Sequence, residues 1–306
     1  MTSVGCVGGL TLDWVRRGAT TTGPTVGGNA LYSAVGAWMV GAQPAVCAVI
    51  GADFPDSILD VLEQAGFDLN PLRRVDGPSF RVLLDDSVPR RAVSYLEPCG
   101  HNDTLDPWPH QVRSGWDIAH LAAIPPESQR RLAAALTAVG VPYTLDTIVI
   151  PGEIEPAADE LIELASGSRA FLPSTDELDA LWPADDPVER LTALYQQTRH
   201  PVVATCGALG SIGFDGARAV RVPAYDGLVV DTTGAGDAYS GAFAASSALG
   251  ADLAEAMAWA AAAASVIIES HGAEHALEPG RRRSVRQRAE QVRTATTEVD
   301  THVLER

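Results

Sequence analysis

Short apolar, β-rich runs bounded by glycine or proline recur along the chain at residues 4–7, 45–50, 117–122, 141–146, 169–172 and 201–205. Most are followed by roughly 10–18 residues in which apolar positions return with a helical period. That alternation is the βαβ rhythm of a mostly parallel sheet covered on both faces, so the chain is expected to be α/β. Such sheets bind ligands at the carboxyl ends of their strands, where loops and helix N-termini converge. One segment breaks the rhythm: residues 79–85 and 91–96 read as strands joined by "DSVP", with no helix between them. They predict a hairpin standing off the main sheet, either an edge meander or a lid over a cleft. Residues 281–306 predict a polar helix and tail whose arginine run is a solvated surface.

Composition narrows the field. At 306 residues, 46% of them hydrophobic, the chain can bury one large core, and one α/β domain fits better than two small ones. The formal net charge of −17 argues against nucleic acid or an anionic membrane as a partner, because both need clustered basic residues. All 22 basic residues counted as Lys and Arg are arginines. No lysine is there to form a Schiff base or complete a Walker A loop, so a phosphate site must rely on backbone N–H groups, arginine or metal. The four cysteines, Cys6, Cys47, Cys99 and Cys206, are widely spaced and lack zinc-site spacing, which fits a reducing cytoplasm. Residues 1–14 lack the pattern of a signal peptide, and the alanine-rich run near 254–268 is too short to span a bilayer.

The stretch "DTTGAGDAYSGAF", residues 231–243, carries the candidate chemistry. Residues 228–231 read as a strand, 232–236 as a tight turn and 237–249 as a helix. The first N–H groups of a helix have no intrahelical partner and sit at the positive end of the macrodipole, so a glycine-rich turn there makes an anion site. Asp237 has two readings at this point. It is either a first-turn acid favoured by the dipole, or a base that takes a proton from a hydroxyl while the neighbouring N–H groups stabilise a phosphoryl group in transfer. A dinucleotide-binding turn is disfavoured, because Tyr239 stands where Gly-x-Gly-x-x-Gly needs its third glycine.

With the residues before it, "RVPAYDGLVVDTTGAGDAYSGAF" resembles the C-terminal signature of the ribokinase-like, PfkB-type carbohydrate kinases. "GGNALYSAVGAWMVGAQPAVCAVIGADFPDSILDVLEQAGFDL", from Gly27, is similar to the N-terminal signature of the same family. "GGLTLDW", "TCGALGS" and "HGA" agree in order and spacing. The resemblance implies a Rossmann-like three-layer α/β/α ribokinase-like fold, one kinase domain over residues 1–300 with lid segments near 12–26 and 78–100 and a tail at 301–306. It implies a phosphotransferase that moves the γ-phosphoryl group of ATP, with Mg2+, to a hydroxyl of a small sugar or polyol. A nucleoside kinase of the same fold is the alternative within the class, and a non-catalytic ligand-binding descendant is the alternative outside it.

By that resemblance Asp237 is the catalytic base, and the N–H groups of Gly234, Ala235 and Gly236 form the anion hole. Asp13, Gly27, Gly28, Asn29 and Tyr32 are the expected substrate contacts. Thr205, Gly207, Gly210, Ser174, Glu177 and Gly272 are the expected nucleotide contacts, Glu177 holding magnesium through water. Asp231 and the Thr233 carbonyl match the ligands of a monovalent cation such as K+, although Ala276 stands where ribokinases carry a serine. Each substrate contact also has a plain reading: Asp13 as a turn acid, Asn29 as a helix N-cap, Tyr32 as core. Three departures from the ribokinase pattern matter: Ser174 replaces an asparagine, Tyr32 another, and Ala123 a sugar-binding glutamate. The last two remove polar contacts to a small furanose, so ribose is not the first choice, and Tyr32 offers an apolar face on which a ring can stack. A homodimer paired through its lids is the expected assembly.

Overall fold

Both faces of the first strand are apolar, and the main sheet is built around it. In the computed structural model, which describes residues 1–86, 92–96, 105–150 and 154–299, Val4 and Cys6 of β1 (Ser3–Val7) point into one core and Val7 into another. The chain then forms β2 (Thr11–Arg17), β3 (Thr20–Gly27), α1 (Asn29–Met39) and β4 (Gln43–Cys47). Next come β5 (Val49–Ile50), α2 (Asp56–Gln64), β6 (Arg73–Arg74), β7 (Phe80–Asp85) and β8 (Ala92–Tyr95). The βα alternation resumes with β9 (Ile118–Leu121), α3 (Pro126–Ala138), β10 (Tyr143–Leu145), α4 (Ala158–Ser166), β11 (Ala170–Phe171), α5 (Thr175–Leu181), α6 (Pro187–Thr198) and β12 (Val202–Thr205). It ends in β13 (Ser211–Phe214), β14 (Ala219–Val222), α7 (Ala235–Ala248), α8 (Leu253–Ile267), α9 (Arg281–Thr294) and β15 (Thr297–Val299).

Among the described residues the main sheet has the order β15-β14-β13-β12-β11-β10-β9-β1-β4. It is parallel from β4 to β12 and antiparallel beyond. Apolar residues of α1, α7, α8 and α9 cover one face, and those of α3, α4, α5 and α6 the other, giving the three layers expected. A second sheet has the order β3-β2-β7-β8 and is built from the two segments expected to form the lid. The hairpin expected from residues 79–85 and 91–96 is the antiparallel pair β7–β8, with Phe80, Val82 and Leu84 turned inward. Residues 87–91 and 97–100 of the expected lid, Cys99, and the tail at 301–306 lie outside the described residues.

Helices α1 and α7 meet at close range, and this contact positions the site. A Cβ on Gly36 would stand 2.1 Å from the Ala238 carbonyl oxygen, and one on Gly241 2.0 Å from that of Ser33. Only hydrogen fits at either position, so the two backbones touch. Their N-termini carry Gly28–Asn29 and Gly234–Asp237 respectively.

The structure departs from the sequence reading in four places. Residues 45–50 are two strands, because β5 leaves the main sheet to pair with β6. Asp13, whose plain reading is a turn acid, lies inside β2, beside a register shift between Asp13 and Val15. Residues 228–231 form no strand despite their apolar, β-branched character. The N–H groups of Val230 and Asp231 both donate to the Ile268 carbonyl at the end of α8, at 2.8 and 3.2 Å, and so satisfy a helix terminus. Finally, the polar C-terminal segment adds β15 to the sheet edge after α9. Three of the six arginines of α9 are engaged within the fold: Arg281 and Arg288 hold Glu269, and Arg282 lies 4.0 Å above the Trp38 ring.

Candidate active site

The turn before α7 is built as its glycines predict. Gly234 is the N-cap, in the left-handed region at φ 74°, and a Cβ there would lie 2.2 Å from the Tyr32 ring. Both the backbone conformation and the packing therefore require glycine. Tyr32 is 3% exposed, with its ring lying against the turn, and it also lines the cavity described below. A Cβ on Gly236 would meet nothing within 4 Å, which leaves the helix N-terminus open to a ligand. The Ala235 N–H donates to the Thr232 carbonyl at 3.3 Å. Of the three expected donors, Gly234 and Gly236 make no such backbone bond among the described residues.

Asp237, in the first turn of α7, is half-buried. Burial first, then the charges of Glu177 and Asp13, push its carboxyl up to about 7, although its own backbone N–H pulls the other way. Glu177 is raised as well, mainly by burial. A fourth acid, Asp146 at the end of β10, is raised well above the usual carboxylate range by burial and by the charges of Glu177 and Asp237. Its oxygens accept from the Thr147 N–H at 2.8 Å and the Ser240 hydroxyl at 3.1 Å, which ties it to α7 one turn beyond Asp237. Sequence reasoning placed Asp146 at a strand end and went no further. The carboxyl end of a parallel strand was the available signal.

Ser174 caps α5. Its hydroxyl accepts from the Glu177 N–H at 3.3 Å, and its own N–H and hydroxyl donate to Glu177 Oε2 at 2.7 and 2.8 Å. This reciprocal capping box orients Glu177. Thr205 lies beside it: its N–H donates to the Pro173 carbonyl, and the two chains form a parallel bridge at Ser174 and Thr205. The loop that follows turns at Gly207 and Gly210, both at positive φ, and Ser211 receives the Tyr239 hydroxyl of α7 at 2.8 Å. The nucleotide loop and the helix of Asp237 are thereby joined.

On the substrate side, a Cβ on Gly27 would lie 2.0 Å from Asp13 Oδ2, and one on Gly28 2.4 Å from the Gly9 carbonyl oxygen. Both glycines make room for their neighbours. Asn29 does not cap α1 through its side chain. Its amide accepts from the Gly9 N–H and donates to the Ala123 carbonyl, each at 2.7 Å, clamping the ends of β1 and β9 together. A cavity of about 300 Å³ under the lid is lined by Asp13, Arg17, Tyr32, Asp231, Thr233 and Gly272, among others. Gly272 thus shares a wall with the expected substrate residues. Asp237 is outside that lining and is coupled to it through Asp13. A wider groove of about 820 Å³ along α8 and α9 contains none of these residues.

Among the described residues no three carboxylate, imidazole or thiolate groups converge into a direct metal cage. A cluster of carboxylates that raise one another's proton affinity nonetheless favours a cation at one remove, and Mg2+ keeps several waters when it binds oxygen donors. Glu177 and Asp146 fit that role. A monovalent cation at Asp231 does not fit. A carboxylate offers about four lone-pair sites, and those of Asp231 are met by the Thr233 N–H and hydroxyl at 2.9 and 2.6 Å, Arg17 Nη2 at 3.3 Å and His271 Nδ1 at 2.8 Å.

No helix among the described residues is long and apolar enough to cross a membrane. Residues 1–279 match the model of the pfkB family carbohydrate kinases. A cytidine kinase of Thermococcus kodakarensis is 27% identical over 237 residues, spanning 75% of this chain and 82% of its own. A fructoselysine 6-kinase of Shigella flexneri is 28% identical over 256 residues, spanning 81% and 91%. The crystal structure of an Escherichia coli protein assigned as a ribokinase II, in complex with ATP and Mg2+, has a TM-score of 0.75 at 16% identity over 95% of this chain and 100% of that one, a likeness of fold. The match over residues 1–279 makes this protein a member of the pfkB family of carbohydrate kinases.

Proposed function

We propose that the enzyme transfers the γ-phosphoryl group of ATP to a hydroxyl of a small sugar or polyol, with Asp237 as general base. The observation that carries this reading is the position of Asp237: an acid pushed up to about 7, in the first turn of a helix whose N-terminus is open at Gly236. A base working near neutral pH needs a proton affinity in that range. In the proposed step Asp237 takes the acceptor's hydroxyl proton as its oxygen forms a bond to the γ-phosphorus. The bond from phosphorus to the β,γ-bridging oxygen breaks, and ADP leaves with that electron pair. The N–H groups of Gly234 and Gly236 stabilise charge on the phosphoryl oxygens. Asp13 orients the acceptor. Glu177, aimed by Ser174, and Asp146 would hold Mg2+ through its waters, and that ion when bound offsets the charge of the phosphates.

Cavity size favours a monosaccharide-sized acceptor, since about 300 Å³ lies at the low end for small-molecule sites. A nucleoside acceptor is the second reading, favoured by the similarity to a cytidine kinase. A cytoplasmic location, where ATP is supplied, and a homodimer formed over the lid belong to the same proposal. The dimer is supported by the edge position of β3 and its run of exposed residues. The test is magnesium-dependent ADP release against a panel of sugars, polyols and nucleosides, beside Asp237→Asn. Turnover with one acceptor, lost in the variant, is expected. Equal turnover by the variant would overturn the role of Asp237, and a preference for nucleosides would replace the first acceptor class by the second.

A further inference from the structure

Arg17 and Asp231 are 214 residues apart in sequence, yet the guanidinium on the lid reaches the carboxylate below it. Asp231 is 5% exposed at its side chain, and a carboxylate so buried needs a compensating positive charge. Arginine supplies one that is permanent and directional. Asp86, just after β7, orients the same guanidinium, with its Oδ2 3.4 Å from Arg17 Nε. His271 Nδ1 also lies 2.8 Å from Asp231 Oδ2, and the Thr233 N–H, the Thr233 hydroxyl and Arg17 donate to the same carboxylate. From Asp231 the link to the site is short. Its Oδ1 holds Thr233 by two bonds, and Thr233 precedes Gly234, the N-cap of α7.

We propose that Arg17 is the built-in cation of the 231–233 loop, so that the enzyme needs no monovalent ion there and strand β2 holds the Gly234–Gly236 turn in order. Arg17 is a positioning residue: although it lines the cavity, it acts on the 231–233 loop through Asp231. The inference goes beyond the phosphotransfer reading and does not depend on which acceptor is used. It predicts that removing the guanidinium reopens the carboxylate and creates a requirement for an ion that the native chain does not have.

The test compares wild type, Arg17→Gln and Arg17→Lys in potassium chloride and in tetramethylammonium chloride at equal ionic strength. Thermal melting and calorimetric ATP affinity are measured in each. Wild type is expected to behave alike in the two salts. Arg17→Gln is expected to melt lower in tetramethylammonium and to regain about 2 °C or more in potassium, with ATP binding about fivefold or more tighter in potassium. Arg17→Lys should follow wild type, since it keeps the charge. A merely structural ion pair would lower stability equally in both salts, and that result would overturn the proposal. A potassium-specific rise in wild type would overturn it as well, and this arm needs no variant to fold. The melts require no turnover, so failure of the kinase reading would appear in the acceptor panel and leave them unaffected.

Discussion

Replacing Asp237 by asparagine should make the unliganded protein more stable while removing its activity. The carboxyl has a folded value of about 7 against an ordinary 3.8, a difference of about 3 units. Between those two values the folded state binds more protons than the unfolded state, so stability falls as pH rises through that window. The cost is absent below about pH 4 and complete above about pH 7. At about 1.36 kcal/mol per unit, the ceiling is about 4 kcal/mol. Asp237 is half-buried and water screens part of its repulsion, which brings the expected gain in Asp237→Asn to about 1–3 kcal/mol at pH 8. For a domain of this size that corresponds to about 2–6 °C in melting temperature. Melting curves of the two proteins without ligand, from pH 4.5 to 8.5, should therefore diverge with rising pH. Turnover should fall by about 10²–10⁴-fold if the base is lost. A variant no more stable than wild type at pH 8 would refute the account of crowded, buried carboxylates. Gain of stability with loss of turnover also separates chemistry from misfolding, since an unfolded variant would lose both.

Three further outcomes follow from the same geometry. In wild type, kcat/KM should rise with pH through about 7, because protonated Asp237 cannot accept the acceptor's proton; a flat profile from pH 5.5 to 8 would contradict this. Gly234→Ala should destabilise by about 2–4 kcal/mol in urea melts, combining left-handed strain with a clash against Tyr32, and Tyr32→Ala in the same chain should recover only the clash. Asn29→Ala should cost about 2–4 kcal/mol by orphaning the Gly9 N–H and the Ala123 carbonyl, with stability measured by denaturant and a cost under 1 kcal/mol counting against the clamp.

What the sequence by itself determined was local. The α/β rhythm was readable because burial on both faces of a parallel strand forces a continuous apolar run, as in β1 and β12. The anion site before α7 was readable because a helix N-terminus has free N–H groups wherever it occurs, and glycine at Gly234 and Gly236 is a local requirement for reaching them. The capping box of Ser174 and Glu177 was not read from the sequence, although it is an i, i+3 feature of one turn. Residues 228–231 misled because their apolar pattern is that of a strand, while their partner is the end of a helix nearly forty residues later. Only the tertiary structure decided the rest. Asp146 becomes part of the site because β10, α5 and α7 bring three acids within reach of one another. Tyr32 both lines the cavity and packs against the turn before α7 because α1 crosses α7 at Gly36 and Gly241. Arg17 meets Asp231 because the lid folds over the turn. Electrostatic repulsion, steric contact and counter-charge all depend on distance in space, and spacing along the chain does not contain that distance.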